Sequence, residues 1–409
     1  MRWRSNSPRT ASNRVPTFGR AMLSHWLLDP EYTYLNHGTV GAPPRRVLQK
    51  QQALRDEIER QPSRFMLREL NGQQPAPWRR QSRLREAIEP VAAFLGSKPD
   101  DLVFVPNVTT GLNAVIQSFP LGPDDEVVIT NLAYGAITLA AAAATNESGA
   151  TLRTVEMPHP LHDSHAVVDA VVVALTDRTK LVIIDHITAQ TALVLPIARV
   201  AEECRRRGVA VLVDGAHAPG AIALDIPSLG VDWYSANLHK WAHAPRSCGV
   251  LWAAPARQAS LHHPVTSWGR NTGFHGEFEH VATSDPTAYL AAPEGIALLR
   301  EWDFPAVLSY MHRLAWDAAG LLTERWKTPL DTPREMVAAM ATVPLPQAAG
   351  ATAEDASRLR LALLLDDKIE VPIHAGQGRL WVRVSAQVYN DLSDVERLAV
   401  AVARRVALA

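Results

Sequence analysis

The sequence predicts an α/β fold: a mostly parallel central sheet with helices on both faces, followed by a smaller α+β domain at the carboxyl end. Three observations support this prediction. Short apolar runs typical of buried strands alternate with helical segments over residues 101–254. Several of these runs end in polar or acidic residues and open into turns, as parallel strands do beside a ligand site. After two long helices over residues 286–327 the strands become short, which indicates a second domain.

The amino-terminal part predicts two helices and then a strand that opens into a helix. The first helix, Pro44–Gln61, starts at a proline, and the second, Pro77–Phe94, is rich in Arg and Glu on its polar side. The strand Asp101–Val105 leads through a polar turn into a helix that ends near residue 118. Such a turn offers unpaired N–H groups and the positive end of the helix dipole to an anion, and Thr109 and Thr110 add hydroxyl donors. A routine helix cap is the alternative interpretation.

The middle of the chain continues the alternation of strands and helices. The apolar runs are four to six residues long, as expected for strands that are buried on both faces (about 4–8 residues). The expected strands are Glu126–Thr130, Thr151–Val155 and Leu181–Asp185, and the expected helices are an alanine-rich segment after residue 136, His165–Leu175 and Pro196–Arg207.

The stretch over residues 211–251 brings one carboxylate and one amine to neighbouring strand ends. The run Ala210–Val213 ends in Asp214, the run Val231–Ala236 leads to Lys240, and a third run, Gly249–Ala254, follows. Ligands bind at the carboxyl ends of strands in open α/β sheets. A lysine forms a Schiff base with an aldehyde cofactor, and an aspartate keeps a pyridine nitrogen protonated. Either residue alone suits an ordinary turn, but their spacing and flanking strands favour cofactor chemistry.

The carboxyl-terminal part predicts long helices and then short strands. We expect helices over Pro286–Trp302 and Phe304–Lys327 and a closing helix over residues 390–408, and an irregular segment from residue 267 to 286. The domain prediction is therefore a tail and lead-in over residues 1–30, a large domain over 31–290 and a small domain over 291–409. The short strands of the small domain are expected at Ala339–Pro344, Ile369–Ile373 and Leu380–Ser385.

Composition favours an enzyme of small molecules. The 409 residues are enough for two domains, and 47% hydrophobic with 20% charged residues is ordinary for a globular protein. Forty-one basic residues against 42 acidic ones give no net attraction to nucleic acid or to an anionic membrane. No apolar run is long enough to span a bilayer. We therefore expect neither a nucleic-acid partner nor a membrane partner.

The cysteine count and the amino terminus bear on location. Two cysteines, Cys204 and Cys248, cannot build a disulfide framework and lack zinc-site spacing, so we expect a cytoplasmic protein without a metal. The first twenty residues contain no acid, no twin arginine and no following apolar segment. We interpret them as a solvated tail. Its arginines are Arg2, Arg4, Arg9, Arg14 and Arg20.

The stretch around Asp214 and Lys240 resembles the fold-type I pyridoxal-phosphate (PLP) enzymes, specifically the class V aminotransferase superfamily and its isopenicillin-N-epimerase-like branch. The resemblance implies a PLP cofactor that is bound as a Schiff base to Lys240, with Asp214 as the partner of the pyridine nitrogen. His217 then reaches the phenolic oxygen of the cofactor. Asn237 and His239 resemble ligands of the phosphate and neighbours of the lysine.

The resemblance implies further contacts with the cofactor, one of them from a second subunit. Thr109 or Thr110 would hold the phosphate, and Tyr134 would stack on the pyridine ring, with a core tyrosine as the alternative. Relatives extend a Gly-Thr pair into the phosphate site of the partner subunit; here Ala282 and Thr283 stand at that place. If Thr283 has this role, the protein is a homodimer with shared active sites.

The resemblance also implies contacts with an amino-acid substrate. The segment with Asn36 and His37 resembles an entrance loop near the substrate carboxylate, although a plain loop is an equal interpretation. Arg383 lies in a segment that resembles the strand whose arginine binds the α-carboxylate. A guanidinium pairs with a carboxylate through two parallel hydrogen bonds, so an arginine suits this role.

These residues predict a PLP enzyme that acts at the α-carbon of an amino acid or amino-acid conjugate. C–S lysis of a cysteine S-conjugate and epimerisation, both in specialised metabolism, are favoured; transamination and a decarboxylating reaction are alternatives. Epimerisation needs a second acid/base opposite Lys240, for which Tyr134 and His186 are candidates. A cysteine desulfurase needs a mobile cysteine near the small domain, and neither Cys204 nor Cys248 is placed there.

Two other classes fit less well. A non-catalytic regulator on this fold would carry a DNA-binding module ahead of it, for which about thirty irregular residues are too few. Such a protein is also expected to lose Lys240 or Asp214, and both are present. A dinucleotide-binding enzyme would carry a Gly-rich turn of the form GxGxxG after its first strand, and the sequence lacks one.

Overall fold

A computed structural model describes residues 17–72, 81–158, 161 and 163–407 of the chain. Residues 1–16 of the expected arginine-rich tail lie outside the described residues. Arg20 is described and is not part of a solvated tail, because it begins a short 3-10 helix (Arg20–His25) and pairs with the buried Asp394. The strands in chain order are β1 (Thr33–Tyr34), β2 (Leu102–Val105), β3 (Glu126–Thr130), β4 (Thr151–Val155), β5 (Thr179–Asp185), β6 (Ala210–Asp214), β7 (Trp233–Asn237), β8 (Gly249–Ala253), β9 (Met340–Pro344), β10 (Ile369–Glu370), β11 (Ile373–Gly376) and β12 (Arg379–Ser385). The helices are α1 (His37–Val40), α2 (Arg45–Arg60), α3 (Pro62–Arg64), α4 (Arg83–Phe94), α5 (Val108–Ser118), α6 (Gly135–Ser148), α7 (His165–Ala174), α8 (Ile197–Arg206), α9 (Phe274–Glu279), α10 (Thr287–Glu301), α11 (Phe304–Trp326), α12 (Ala353–Leu365) and α13 (Leu392–Ala407).

The large sheet has seven strands in the order β2-β8-β7-β6-β5-β3-β4. β8 runs antiparallel to both of its neighbours, whereas the remaining pairs are parallel. Along β6, Val211 and Val213 pack into the core on one face, while Ala210 and Leu212 pack into the core on the other. This alternation follows from the two-residue period of a strand, and it buries both faces under helices. The predicted fold class is confirmed.

The small sheet is antiparallel, in the order β11-β12-β9, and packs against α11, α12 and α13 with its own hydrophobic core. β1 pairs in parallel with β10, so the chain near Thr33 adds to the carboxyl-terminal part although it was placed in the large domain by sequence. The domain boundaries stay a prediction.

Three differences from the expected elements have physical reasons. The run Ile369–Ile373 is two strands rather than one, divided near Pro372, which has no N–H to donate. Helix α12 was not predicted, although Thr352 and Asp355 form a capping box at its start. Helix α9 lies in a segment that was expected to be irregular. The proposed start of the second helix at residue 77 lies outside the described residues; α4 is described from Arg83.

Within the ranges that the structure describes, no helix combines the length and apolarity needed to cross a membrane.

Candidate active site

The carboxyl ends of the parallel strands and the small sheet enclose a cleft of about 770 Å³. Polar side chains from both parts of the chain converge in it, as expected for the switch region of an α/β sheet. They include Thr39, Thr109, Tyr134, Asp185, Asp214, His217, Asn237, His239, Lys240, His374 and Arg383.

Asp214 ends β6 at the base of the cleft. Its side chain is buried, and its Oδ1 accepts a hydrogen bond of 2.9 Å from the backbone N–H of Ala216. Burial raises the pKa of the Asp214 carboxyl to about 6, against the opposing effects of this hydrogen bond and of the Lys240 charge. Asp185 ends β5 directly opposite Asp214, and burial, then the Asp214 charge, raise its pKa well above the ordinary value.

Lys240 lies after the end of β7 and points its amine toward His217. Lys240 Nζ is 3.1 Å from His217 Nε2. Burial lowers the pKa of the Lys240 amine to about 7, with a further lowering from Arg383, while Asp214 and Asp185 act in the opposite direction. A large fraction of the amine is therefore neutral at neutral pH, and a neutral amine is both a nucleophile and a base.

His217 is buried, and its Nδ1 has no hydrogen-bond partner among the described residues. Burial lowers the pKa of its imidazole well below the usual value, and the nearby positive charge of Lys240 adds to the effect. A buried imidazole nitrogen without a partner is unfavourable unless a ligand supplies one.

Helix α5 also begins at the cleft, which its first residues line. Asn107 caps it, since its Oδ1 accepts from the N–H of Thr110 at 2.9 Å and from the Thr110 hydroxyl at 3.2 Å. Asn237 Oδ1 accepts from the N–H of Val108 at 2.9 Å, which ties the helix to β7. Thr109 lines the cleft, whereas the Thr110 hydroxyl belongs to the cap. Of the two threonines that the sequence left open, only Thr109 lines the cleft, and its contact with a phosphate stays a prediction.

Two further predicted contacts lie at the same cleft. Tyr134 directly precedes α6, lines the cleft and remains 49% exposed, so its ring is available for stacking. His239 lines the cleft as well, and its Nδ1 is 2.8 Å from the carbonyl oxygen of Cys248. Burial lowers the pKa of His239 to about 4, so its ring is neutral at neutral pH.

Arg383 projects from β12 into the cleft wall and is only 6% exposed. One Nη donates to the carbonyl oxygen of Ala189, and the other donates to Thr39 Oγ1 at 2.8 Å. Burial lowers the pKa of the guanidinium to about 10, which leaves it charged at neutral pH. Both hydrogen-bond partners of the Arg383 guanidinium are neutral groups rather than a carboxylate. Its Nε has no partner among the described residues.

The structure does not place Asn36 and His37 as the sequence suggested. His37 is fully buried, with its Nδ1 2.9 Å from the Tyr389 hydroxyl and its Nε2 3.1 Å from the Lys240 carbonyl oxygen. Asn36 Nδ2 donates to Glu370 at 2.8 Å. Each residue of a helix turns about 100° from the last. The short helix therefore presents residues 38 and 39 to the cleft and directs His37 behind it.

His186 is not positioned to act as a second acid/base in the cleft. It is buried, its Nδ1 is 2.8 Å from the Tyr234 hydroxyl, and it does not line the cleft.

Two titratable residues of the cleft were not predicted from the sequence as site residues. Asp185 ends a buried strand just as Asp214 does, so the same rule predicts it; His374 carries no comparable signal, because only the pairing of β11 with β12 brings it to the site.

Thr283 is exposed and does not line the cleft of its own chain. Arg270, in the same loop region, is exposed too. The side chains of Trp268 and Val265, in the same loop region, are 96% and 56% exposed.

The cleft fits pyridoxal phosphate. A carboxyl with a raised pKa suits a protonated pyridine nitrogen, and the unpaired Nδ1 of His217 suits an oxygen on the ring. The start of α5 suits a phosphate, and Lys240 offers an amine for the aldehyde. The described residues contain no group of three or more side chains able to hold a metal ion.

Comparison with known proteins points to one family. The model of the family described as "Aminotransferase class-V" matches residues 36–398. A probable chloroplastic L-cysteine desulfhydrase from Arabidopsis thaliana is 31% identical, with coverage of 90% of this chain and 82% of the relative. Isopenicillin N epimerase from Streptomyces clavuligerus is also 31% identical, with coverage of 91% and 94%.

Solved structures agree on the fold. A mutant of C-DES with glycine covalently linked to its PLP cofactor superposes with a TM-score of 0.77 at 21% identity, covering 93% of this chain and 98% of that one. The complex of the cystine C–S lyase C-DES with its product cysteine persulfide gives a TM-score of 0.75 at 22% identity, covering 91% and 98%.

Proposed function

Because the chain belongs to the aminotransferase class-V family, we propose that it is a PLP-dependent lyase that cleaves the C–S bond of a cysteine S-conjugate. The relatives named as cysteine desulfhydrases support the reaction type, and the cleft supports the chemistry. The main support for the proposal is the guanidinium of Arg383, which is buried and lines the same cleft as Lys240 and Asp214.

When bound, PLP supplies an electron sink for the bonds at the α-carbon of an amino acid. In this chain Asp214 would keep the proton on the pyridine nitrogen, and His217 would donate to or accept from the oxygen on the ring. The amides at the start of α5, together with Thr109, would hold the phosphate. Tyr134 would limit tilting of the ring by stacking on its face.

Arg383 would bind the α-carboxylate of the substrate. A buried cation whose partners are a carbonyl and a hydroxyl gains strongly from an anionic ligand, because the low dielectric around it strengthens the pairing. This contact fixes one substituent of the α-carbon and so determines which bonds face Lys240.

Lys240 would accept the proton from the α-carbon, since its lowered pKa leaves much of the amine neutral at neutral pH. The electron pair released at the α-carbon forms a double bond to Cβ, and the Cβ–S bond breaks with sulfur leaving as a thiolate. The thiolate takes up a proton, and water hydrolyses the remaining enamine. The balance is one S-conjugate and one water giving one thiol, one pyruvate and one ammonia.

The structure gives epimerisation less support, although one relative is an epimerase. Inversion needs a proton donor on the face opposite Lys240, and of the two candidates only Tyr134 lines the cleft.

Desulfurase chemistry through a protein persulfide is disfavoured as well. Cys204 and Cys248 are both fully buried outside the cleft, and burial raises the pKa of both thiols, to about 12 for Cys204.

The purified protein should be yellow with PLP and should release thiol and pyruvate in equal amounts from cysteine S-conjugates. Lys240→Ala should abolish the absorption band of the Schiff base with the protein, and the turnover with it. Inverted substrate carrying deuterium from heavy water would instead indicate epimerisation, and keto acid formed only with an amino acceptor would indicate transamination. A protein that stays colourless with PLP contradicts the proposal.

We further propose a homodimer in which Thr283 of each chain completes the phosphate site of the other. The exposure of Trp268 and Val265 in the preceding loop supports an interface there. A cytoplasmic location remains our prediction, and the two unpaired cysteines are compatible with it.

A further inference from the structure

A second cavity of about 250 Å³ opens beside the active cleft. We call it the annex. It shares part of its wall with the cleft, so the two cavities are adjacent. The shared residues are Asn131, Leu132, Gln190, Thr191 and His374.

The annex is mainly apolar. Its walls include the side chains of Leu132, Met157, Leu193, Leu330 and Trp381. Among its described lining residues there is no lysine or arginine, and the acidic group, at residue 331, is on the exposed rim. Burial, with a contribution from the neighbouring guanidinium, lowers the pKa of the lining imidazole at residue 374 to about 4, so it is neutral at neutral pH. The annex therefore suits an uncharged apolar group.

Strand register places the annex at a defined distance from the carboxylate site. Trp381 and Arg383 are two residues apart on β12, so their side chains share one face of the sheet, about 6.6 Å apart along the strand. Pro344 pairs with Trp381, Thr342 pairs with Arg383, and both also line the annex. A substrate held by its α-carboxylate at Arg383 can thus direct its side chain toward the indole.

Resting on the proposed lyase function, we propose that the annex is the specificity pocket for the sulfur substituent, and that this substituent is an uncharged arylmethyl or similar apolar group. An apolar protein cavity of about 150 Å³ holds benzene, so the larger annex has room for a benzyl group. Removing a group of phenylalanine size from water should raise kcat/KM by about 10- to 100-fold over a substrate that leaves the annex empty.

The test compares S-benzyl-L-cysteine with S-methyl-L-cysteine on the PLP-loaded enzyme, by thiol release and by spectral titration of binding. We expect the benzyl conjugate to be preferred by about 10- to 100-fold. Leu330→Glu, which adds a charge to the annex wall, should reduce this preference about 10-fold while changing the methyl conjugate less than about 2-fold. Leu365→Glu, at a 56% exposed leucine of α12 outside both cavities, is the matched control and should change neither.

The two proposals fail in different ways. Equal use of both conjugates, exclusion of the benzyl compound or preference for the cationic S-aminoethyl-L-cysteine would overturn the annex assignment while leaving the lyase intact. Tight benzyl binding that is weakened by Leu330→Glu, without any thiol release, would support the annex and overturn the lyase function. Because Leu330 is only half-buried in a loop, the variant is expected to fold, and Trp381→Phe provides a second, conservative change in the wall.

Discussion

At the scale of single residues, the cleft is defined by charges that are buried close to one another. Arg383 and Lys240 are the cations, and Asp214 and Asp185 are the acids. Burial is the largest cause of the shifted pKa of all four groups, and it moves each toward its neutral form. Perturbed pKa values of this kind cluster at functional sites, because catalysis requires groups that titrate near working pH.

The lowered pKa of Lys240 predicts how the apoprotein captures its cofactor. The neutral amine attacks the aldehyde, so the rate of visible colour formation with PLP should be low at pH 6, rise through a midpoint near pH 7 and level off above pH 8. The Arg383 charge lowers the pKa of Lys240, so Arg383→Ala should move the midpoint to higher pH. A midpoint near that of an ordinary lysine, about 10.4, would contradict the assignment.

Arg383→Ala should separate substrate binding from cofactor binding. The loss of a buried charged partner predicts a rise in KM for the amino acid of about 30-fold or more, with the visible spectrum of the PLP-bound protein unchanged. Arg379→Ala on the same strand is the control when KM is measured with S-methyl-L-cysteine, because that guanidinium donates to the Leu345 carbonyl oxygen outside the cleft. The Arg379 guanidinium also lies over the Trp381 ring, and the methyl conjugate leaves that wall of the annex unused. Similar KM values for the two variants would show that Arg383 does not bind the carboxylate.

At the scale of secondary structure, the phosphate end depends on how closely α5 approaches β7. A Cβ at Gly111 would lie 2.1 Å from Ser235 Oγ and 3.0 Å from its Cβ, so only glycine allows this approach. The Ser235 hydroxyl in turn donates to the Val250 carbonyl oxygen at 3.0 Å. The contact between Gly111 and Ser235 therefore determines the position of α5. It lies about one turn from the amides at the start of the helix and so positions them as well.

Gly111→Ala should lower the free energy of unfolding by about 1–3 kcal/mol through overpacking, and should weaken PLP binding as the helix moves. Ser235→Ala removes the closest atom in the clash and should cost about 1 kcal/mol alone. The double variant should be more stable than the sum of the two single changes predicts. Chemical denaturation with PLP titration checks this, and strict additivity would show that the clash is relieved elsewhere.

At the scale of the whole molecule, the site is assembled from distant parts of the chain. Parallel strands of the large sheet supply Asp214 and Lys240, whereas the small sheet supplies Arg383. β1 pairs with β10, so the segment that leads into α1 is held by the carboxyl-terminal part. Thr39 of α1 then accepts a hydrogen bond from Arg383, which links the two ends of the chain at the cleft.

A mixing experiment tests whether active sites are shared between subunits. At limiting PLP, Lys240→Ala should be inactive and Thr283→Ala weakly active. Their equal mixture should recover about a quarter of wild-type activity, because half of the exchanged dimers contain one chain of each variant and so carry one intact site out of two. Mixing Lys240→Ala with Asp214→Asn should recover nothing, since both residues act within their own chain. Equal results for the two mixtures, or a monomer by light scattering, would contradict the shared site.

Sequence alone determined the features that depend on the order of neighbouring residues. Strand ends are marked by apolar runs that stop at a polar residue. Asp214, Lys240 and the start of α5 were predicted from such runs, and all three line one cleft in the structure. The family resemblance and the mostly parallel fold class were also predicted from short sequence patterns, and both were confirmed. The turn before α5 was also evident, although two adjacent threonines could not be told apart from their order in the chain.

Only the tertiary structure decided in which direction a side chain points and which strands pair to bring distant residues together. His37 was assigned to the substrate from its neighbours in sequence, but the rotation of α1 directs it behind Lys240, onto the Tyr389 hydroxyl. His374 and the annex arise from the register of β11 and β12 beside the large domain. Local sequence determines which residues end a strand; the packing of separate sheets determines which side chains face one another across a cleft.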